Sequence, residues 1–118
     1  MPVSEEYIDY VVDQLGCIGE IVSKRMFGGV GLYHDGLFFG LIAGDLLYFK
    51  VDDENRRDYE SAGAKPFQPY GEESYSMGYY EVPVDVLENV DRLKMWARAA
   101  IGAAERKASS RKRKKKSS

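Results

Sequence analysis

The sequence has very little of the residue types on which most catalytic and metal sites depend. It contains one histidine, His34, and one cysteine, Cys17, among 118 residues. Nucleophilic triads and most acid–base pairs rely on these residue types, and one of each cannot fill a four-ligand zinc site. We therefore predict neither an enzyme nor a cofactor. A lone cysteine also excludes an internal disulfide, which suits a reducing compartment.

Long apolar segments are also lacking. No run of residues approaches the roughly 20 apolar positions of a membrane span. The N-terminus carries Glu5 and Glu6 and lacks the basic start and apolar centre of a signal peptide. These observations predict a cytoplasmic protein without a membrane partner. The chain length and a hydrophobic content of 44% are sufficient for one folded domain with its own core.

The charges divide the chain into two parts. Residues 1–104 contain 9 Lys/Arg and 18 Asp/Glu, whereas residues 105–118 contain 8 Lys/Arg and a single glutamate. We predict a domain over residues 1–104 and a basic, serine-containing, disordered tail over residues 105–118. An acidic domain is a poor match to the phosphate backbone, so any nucleic-acid contact would come from the tail or from a partner.

The tail contains six consecutive cations, Arg111, Lys112, Arg113, Lys114, Lys115 and Lys116. They could contact phosphates of nucleic acid without sequence preference. Such a run also resembles a nuclear localisation signal, in a cell that has a nucleus. The third interpretation is a solvated terminus that aids solubility. The sequence leaves these interpretations open.

Periodicity and turn residues predict an α+β fold. Ser4 is suited to cap a first helix that ends at Gly16, and Asn89 to cap a last helix whose apolar stripe runs to Ala104. The middle helix, over residues 53–62, is mostly polar and is expected on the surface. The predicted order is α-β-β-β-β-α-β-β-α, with five to six antiparallel strands built from hairpins. The predicted strands cover residues 18–27, 30–34, 37–42, 46–51, 67–70 and 76–82.

The pair Asp35-Gly36 predicts a two-residue hairpin turn, because both central residues of a type I′ turn need positive φ. This turn pairs His34 with Leu37 and, further along, Gly31 with Gly40. His34 is then a polar strand end exposed to solvent. Gly28 to Gly31 joins two strands and lacks a following Gly-Lys-Ser/Thr, so these glycines indicate close backbone approach and not a phosphate loop.

The next loop determines which side chains of the following strand face the core. A two-residue loop would place Tyr48 and Lys50 beside Phe39 and Leu41, whereas a three-residue loop would place Leu47, Phe49 and Val51 there. We prefer the three-residue loop because it gives one consistently apolar face. That face comprises Val30, Leu32, Leu37, Phe39, Leu41, Leu47, Phe49 and Val51. The other face comprises Gly31, Tyr33, Phe38, Gly40, Ile42, Tyr48 and Lys50.

Two groups of aromatic residues raise the question of partners. If the face with Tyr33, Phe38 and Tyr48 is uncovered, a protein partner suits it better than nucleic acid, since the domain is acidic. Tyrosines around the last strands fit either half-buried packing or an interface. They are Tyr70, Tyr75, Tyr79 and Tyr80. A homodimer formed through an outer strand or these tyrosines is also consistent with the sequence.

Several separated motifs, together spanning about residues 5–104, resemble the N-terminal domain of the TfoX/Sxy family. They are KRMFGGVGLY (24–33), GLFFGLI (36–42), LLYFKVD (46–52), AKPF (64–67), MGYYEVP (77–83) and WARAA (96–100). Within them, we assign a structural role and no catalytic one to the family-motif residues Arg25, Met26, Phe27, Gly28, Gly29, Gly31 and Gly40.

The resemblance implies a small bacterial α+β domain with no known enzymatic activity or cofactor. Full-length members of that family regulate competence genes and are thought to act as coactivators with the cyclic-AMP receptor protein. They carry a helical C-terminal domain, where this sequence has only the basic segment. The expected function is therefore a non-enzymatic regulatory domain that binds a protein of the transcription machinery. Two alternatives are nonspecific nucleic-acid binding through the tail and an enzyme with an unrecognised carboxylate or tyrosine site.

Overall fold

The chain forms an antiparallel sheet with helices on one of its faces. The computed structural model describes residues 4–26, 28–67 and 78–116. Its five strands lie in the order β1-β2-β3-β4-β5, and every neighbouring pair is antiparallel. This confirms the predicted α+β class. The elements are α1 (Glu5–Leu15), a 3₁₀ turn (Gly16–Ile18), β1 (Val22–Met26), β2 (Gly29–His34), β3 (Leu37–Ala43), β4 (Leu46–Lys50), α2 (Arg56–Ser61), β5 (Tyr79–Glu81), α3 (Val84–Leu87) and α4 (Val90–Lys116).

The first helix begins and ends where the sequence predicts. The Ser4 Oγ accepts a hydrogen bond from the Tyr7 amide at 3.2 Å, which confirms the N-cap. Gly16, however, keeps a right-handed φ of −56° and starts the 3₁₀ turn. The left-handed position is Gly19, with a φ of 124°. The first strand therefore begins at Val22 and not at residue 18, because the 3₁₀ turn takes up the residues between.

The β2–β3 hairpin confirms the predicted turn and corrects the predicted register. Asp35 and Gly36 have φ values of 50° and 78°, as a type I′ turn requires. His34 pairs with Leu37, but a β-bulge then shifts the register by one residue. Gly31 therefore lies opposite Leu41, and Gly40 lies opposite Leu32. The predicted Gly31–Gly40 pair is wrong because Phe39 is an extra residue on β3.

The three-residue loop between β3 and β4 is also wrong. Ala43 pairs with Leu46, so the loop has two residues, Gly44 and Asp45, both with a φ of 56°. The Asp45 Oδ1 accepts a hydrogen bond from the Ser4 amide at 3.0 Å, which joins this turn to the start of α1. Two errors thus compensate, since the bulge and the shorter loop together still place Leu47 on the core face.

The core lies between the sheet and the helices α1 and α4. The bulge exchanges Leu41 for Ile42 on the buried face. Gly40 also faces the core, with its missing Cβ directed at Phe49 and Leu32. One position of the predicted apolar face, Leu41, is therefore wrong, and two positions of the other predicted face, Gly40 and Ile42, are wrong. Buried alanines on α4 allow its backbone to lie close to the sheet. The sheet and helix residues of this core are Val11, Leu15, Val30, Leu32, Phe39, Ile42, Leu47, Phe49, Leu93, Ala97, Ala100 and Ala104.

The middle helix is shorter and less exposed than predicted. It covers Arg56–Ser61, because residues 53–55 form a turn. In that turn the Asn55 Oδ1 accepts a hydrogen bond from the Asp52 amide at 2.8 Å. Tyr59 is only 1% exposed and packs its ring edge-on against Trp96, with centroids 4.7 Å apart. Tertiary packing therefore places one side of this polar helix in the core.

The Tyr59 hydroxyl gives a first prediction about stability. It is buried and has no hydrogen-bond partner among the residues that the structure describes, and burial raises its pKa far above the usual range of tyrosine. Tyr59→Phe is expected to increase the free energy of unfolding by about 1 kcal/mol, because an unsatisfied buried hydroxyl costs about 1–3 kcal/mol. Urea denaturation measures the change. Tyr10→Phe, at a position 40% exposed, should stay within about 0.5 kcal/mol of the parent protein. A clear loss of stability in Tyr59→Phe would contradict the packing described.

The end of the chain differs most from expectation. Asn89 caps α4, since its Oδ1 accepts a hydrogen bond from the Arg92 amide at 3.1 Å. The helix was expected to end near Ala104 and to be followed by disorder, yet it continues to Lys116. Glycine is absent after Gly102 and proline is absent altogether from this segment, while Ala, Lys, Arg and Glu are good helix formers. The division into one domain over residues 1–104 and a tail over residues 105–118 stays a prediction.

The strands predicted around residues 67–82 are described only in part. Residues 68–77 lie outside the described residues, and β5 covers Tyr79–Glu81. Pro66 forms an isolated antiparallel bridge with Tyr80, and the Phe67 amide donates to the Tyr79 carbonyl at 2.7 Å. The described part of the predicted strand near residue 67 therefore adds backbone pairing to the outer side of β5.

Candidate functional site

The sheet face opposite the helices carries several aromatic side chains. Alternation along β2, β3, β4 and β5 places most of them there, because neighbouring residues of a strand point to opposite faces. Phe67 lies outside these strands, directly after the isolated bridge at Pro66. We call this surface the aromatic face. It comprises Lys24, Tyr33, Phe38, Leu41, Tyr48, Lys50, Phe67 and Tyr79. All but Lys24, which is exposed, and Tyr79, which is 5% exposed, are half-buried.

The rings of the aromatic face contact one another in two groups. Tyr33 stacks on Phe38 with centroids 5.2 Å apart, and Phe38 contacts Tyr79 at 5.5 Å. Tyr48 meets Phe67 edge-on at 4.9 Å. These are ordinary aromatic packing distances. The rings therefore support one another and form a preorganised surface.

Two lysines lie over rings of this face. The Lys24 Nζ is 5.0 Å from the centroid of Tyr33, and the Lys50 Nζ is 4.9 Å from that of Tyr79. Burial, and then the nearby Glu81 carboxylate, raise the pKa of Tyr48 above its usual value. Tyr48 is thus a neutral hydroxyl at physiological pH. It can donate a hydrogen bond to a partner but is poorly suited to act as a base.

The glycines of the family motif provide close contacts and a turn. A Cβ on Gly31 would lie 2.5 Å from the Met26 Cε, and one on Gly29 would lie 2.6 Å from the Ile42 carbonyl oxygen. Gly28 has a φ of 79°, in the left-handed region. Gly40 is also close to its neighbours, with a Cβ position 3.0 Å from the Tyr48 carbonyl oxygen. This geometry is what a structural role requires.

The motif has two other residues, Arg25 and Phe27, and neither is part of the aromatic face as the structure describes it. Arg25 is on the opposite side of β1, where its guanidinium contacts the Glu5 carboxylate at 3.2 Å. Both side chains are largely exposed, so the pair contributes little to stability. Phe27 lies outside the described residues.

His34 is more enclosed than predicted. Its side chain is 19% exposed, with the Nδ1 3.2 Å from the Glu20 carbonyl oxygen and the Nε2 3.5 Å from the Asp35 carboxylate. It also packs near Gly19, where a Cβ would lie 3.1 Å from the imidazole. The expectation of a fully exposed strand end is corrected, because the loop before β1 folds against this ring. These contacts indicate a structural histidine.

A surface cleft of about 540 Å³ lies between the β4–α2 turn, β5 and α4. Four of the charged groups that line it, Asp52, Asp53, Arg56 and Arg106, form ion pairs among themselves. The Arg106 guanidinium donates to both Asp52 oxygens, at 2.6 and 3.0 Å, and lies 3.0 Å from Glu54, while Arg56 pairs with Asp53. The hydrogen bond from Arg106 holds the pKa of Asp52 below its usual range. A general base acting near neutral pH needs the opposite shift.

The described residues show neither a group of metal ligands nor a helix suited to crossing a membrane. Within the described ranges, no three His, Cys, Asp or Glu side chains group in a way that could hold a metal ion. Cys17 is half-buried and unbridged. None of the helices described here combines the length and apolar character that a membrane span needs.

The six predicted phosphate-contacting residues lie on the last turns of α4. Arg111, Lys112, Arg113, Lys114, Lys115 and Lys116 follow one another on helical backbone. Ahead of them, Arg106 joins the helix to Asp52 across 54 residues of sequence. Sequence reasoning missed this contact, as it missed Lys24, Phe67 and Tyr79 on the aromatic face. Strand alternation indicates the face of Lys24, but no local signal predicts the contact of Arg106.

The fold and this surface define a small α+β domain whose sheet has one helix-covered face and one aromatic face. The chain belongs to the TfoX N-terminal domain family, whose model matches residues 13–104. That family is not a known enzyme family. A comparison with curated proteins gave no significant match.

Proposed function

We propose that this chain is a non-catalytic regulatory domain of the cytoplasm that binds a protein of the transcription machinery through its aromatic face. Membership of the TfoX N-terminal domain family supports the regulatory role. The resemblance to TfoX/Sxy coactivators makes the cyclic-AMP receptor protein and RNA polymerase the first partners to test.

The observation that carries the proposal is the aromatic face itself. Among the described residues, its tyrosines and phenylalanines lie on the side of the sheet away from α1 and α4. Its border includes two exposed aliphatic side chains, Val22 at 44% and Leu46 at 39%. Tyrosine and phenylalanine are enriched in the centres of protein interfaces, and an extended apolar surface on a soluble domain indicates binding.

The charge of the domain favours a protein partner with a basic surface. Residues 1–104 have twice as many acidic as basic residues. DNA-binding regulators present basic surfaces, and complementary charge accelerates encounter and suppresses wrong partners. The same acidic charge repels nucleic acid from this part of the chain.

The test places charges at the border of the aromatic face without touching the core. Val22→Glu combined with Leu46→Glu is expected to weaken binding to the cyclic-AMP receptor protein or RNA polymerase about tenfold or more, because carboxylates would be buried on binding. Purified components and biolayer interferometry give the affinities. Met95→Glu is the matched control, since Met95 is 70% exposed on the helical side. It should bind like the parent protein.

Two outcomes would overturn this proposal. Absence of binding to both partners by the parent protein would remove the transcription role. A dimer detected by light scattering, and lost in the Val22→Glu, Leu46→Glu variant, would instead assign the aromatic face to a second copy of the chain.

A further inference from the structure

We propose that the C-terminal part of α4 is a DNA-binding helix that enters the major groove of a B-form duplex and contacts its phosphates without reading the sequence. The proposal rests on the helical backbone of residues 105–116 and on their charge, and it is independent of the aromatic face. A protein with both features would hold a protein partner and duplex DNA together.

The charge density of the segment matches that of the duplex. Residues 107–116 carry seven Lys/Arg and no acidic residue. At 1.5 Å per residue these ten residues extend about 15 Å. Duplex DNA carries one negative charge per roughly 1.7 Å of axis, so about nine phosphates lie along the same length. A helix of this charge can neutralise most of the phosphates beside it.

The composition of the segment argues against a membrane surface as its ligand. A helix that lies in a membrane interface needs large apolar residues along one side. From residue 105 to residue 116 the only apolar side chain is that of Ala108. Attraction to anionic lipids would therefore lack the apolar insertion that holds such helices. Nucleic-acid phosphates require only the charge.

The helical backbone of this protein segment favours duplex DNA over duplex RNA as its ligand. An α-helix with side chains is about 10–12 Å wide, and the major groove of B-form DNA is about 12 Å wide. The major groove of A-form RNA is too narrow and deep for protein side chains to read. Positions 111–116 are consecutive, so at 3.6 residues per turn they are distributed around the whole helix axis. A helix in the groove has phosphates on both sides, which suits this distribution.

The ion pairs of Arg106 set where the basic helix leaves the acidic domain. Asp52 and Glu54 both contact the Arg106 guanidinium, one turn before the basic run. The single positive charge of Arg106 thereby offsets one of the two carboxylate charges beside the start of the basic segment. Glu105, Lys107, Ser109 and Ser110 are exposed, whereas Ala104 is 7% exposed. Arg106 and Lys107 still line the cleft beside Asp52, and Ala108 is half-buried, so the helix becomes fully solvent-exposed at Ser109 and Ser110, just ahead of the six consecutive cations.

Fluorescence anisotropy with a 20-base-pair DNA duplex, between 50 and 200 mM salt, tests the charge contribution. If about five phosphates are contacted, affinity should fall several hundredfold across this range. Replacing Lys112, Lys114, Lys115 and Lys116 together with glutamine should make the slope of log K against log salt shallower by about 3–4. The control replaces Arg57, Lys65, Lys94 and Arg98 with glutamine, which changes the net charge equally and should leave the slope unchanged. If the two quadruple variants changed the salt slope equally, the proposed DNA-binding site would be contradicted.

A second pair of variants tests the helix. Ser109→Pro keeps every charge but interrupts the helix, whereas Ser109→Ala keeps every charge and also keeps the helix. We expect Ser109→Pro to bind DNA about tenfold more weakly than Ser109→Ala, because a preorganised helix loses less entropy on binding. Circular dichroism verifies the loss of helix. Equal affinities would overturn groove insertion.

Two further probes address the nature of the ligand. Equal or tighter binding to an RNA duplex of the same length, or binding to anionic phosphatidylserine vesicles and not to DNA, would also overturn the proposal. The Val22→Glu, Leu46→Glu variant should bind DNA like the parent protein. Failure of this proposal can therefore be distinguished from failure of the protein-binding proposal.

Discussion

Phe39→Ala is expected to lower the free energy of unfolding by about 3–5 kcal/mol, the largest effect of any single substitution considered for this protein. Phe39 is fully buried and contacts Phe49 with ring centroids 5.7 Å apart. Removal of its ring loses buried apolar surface and leaves a cavity between the sheet and α4. For a domain of this size, such a loss corresponds to a melting temperature lower by at least about 12 °C.

Two comparisons make the Phe39 experiment specific. Phe39→Leu fills much of the same volume and should cost much less than the alanine variant. Met95→Ala, at a position 70% exposed, should change stability by less than about 0.5 kcal/mol. Chemical denaturation with a constant m-value measures all three. An alanine variant within 1 kcal/mol of the parent protein would mean that Phe39 is not a core residue.

Gly29→Ala is the second substitution with a large expected effect. The added Cβ would lie 2.6 Å from the Ile42 carbonyl oxygen, and backbone that is paired within the sheet cannot move away as a flexible side chain can. Overpacking of this kind costs about 1–3 kcal/mol and occasionally more. We expect a loss near the upper end of this range, measured by thermal and urea unfolding.

Gly16→Ala is the matched control for Gly29→Ala and should have the opposite sign. Gly16 has a φ of −56°, and a Cβ there would meet nothing within 4 Å. Alanine restricts the unfolded chain, so a gain of about 0.4–1 kcal/mol is expected. If both variants lost stability equally, the contact between Gly29 and β3 would be contradicted.

The two proposed binding surfaces differ in chemistry and in position along the chain. The aromatic face is formed by strands within the family-matched residues, whereas the basic helix lies beyond residue 104. An acidic domain that binds a protein and a basic helix that binds phosphates do not compete for the same ligand. Together the two proposals describe an adaptor that would bring a regulatory protein and DNA into contact.

The sequence by itself determined the features that depend on neighbouring residues. Ser4 and Asn89 can cap helices with their own side chains, and Asp35 and Gly36 adopt positive φ because the turn between two strands requires it. Alternation predicted the buried positions Leu47 and Phe49 correctly. Separated motifs identified the family. Each of these signals acts over a few residues, or repeats with a period that can be read from the chain.

Only the tertiary structure decided the features that depend on contacts distant in sequence. The bulge at Phe39 and the two-residue loop at Gly44 have opposite effects on register, so alternation alone cannot separate them. Burial of Tyr59 in a polar helix needs Trp96, which is 37 positions away. Arg106 finds its carboxylates across the fold, and continuation of α4 to Lys116 followed helix propensity where composition suggested disorder. Packing decided these points because each depends on groups that only the folded chain brings together.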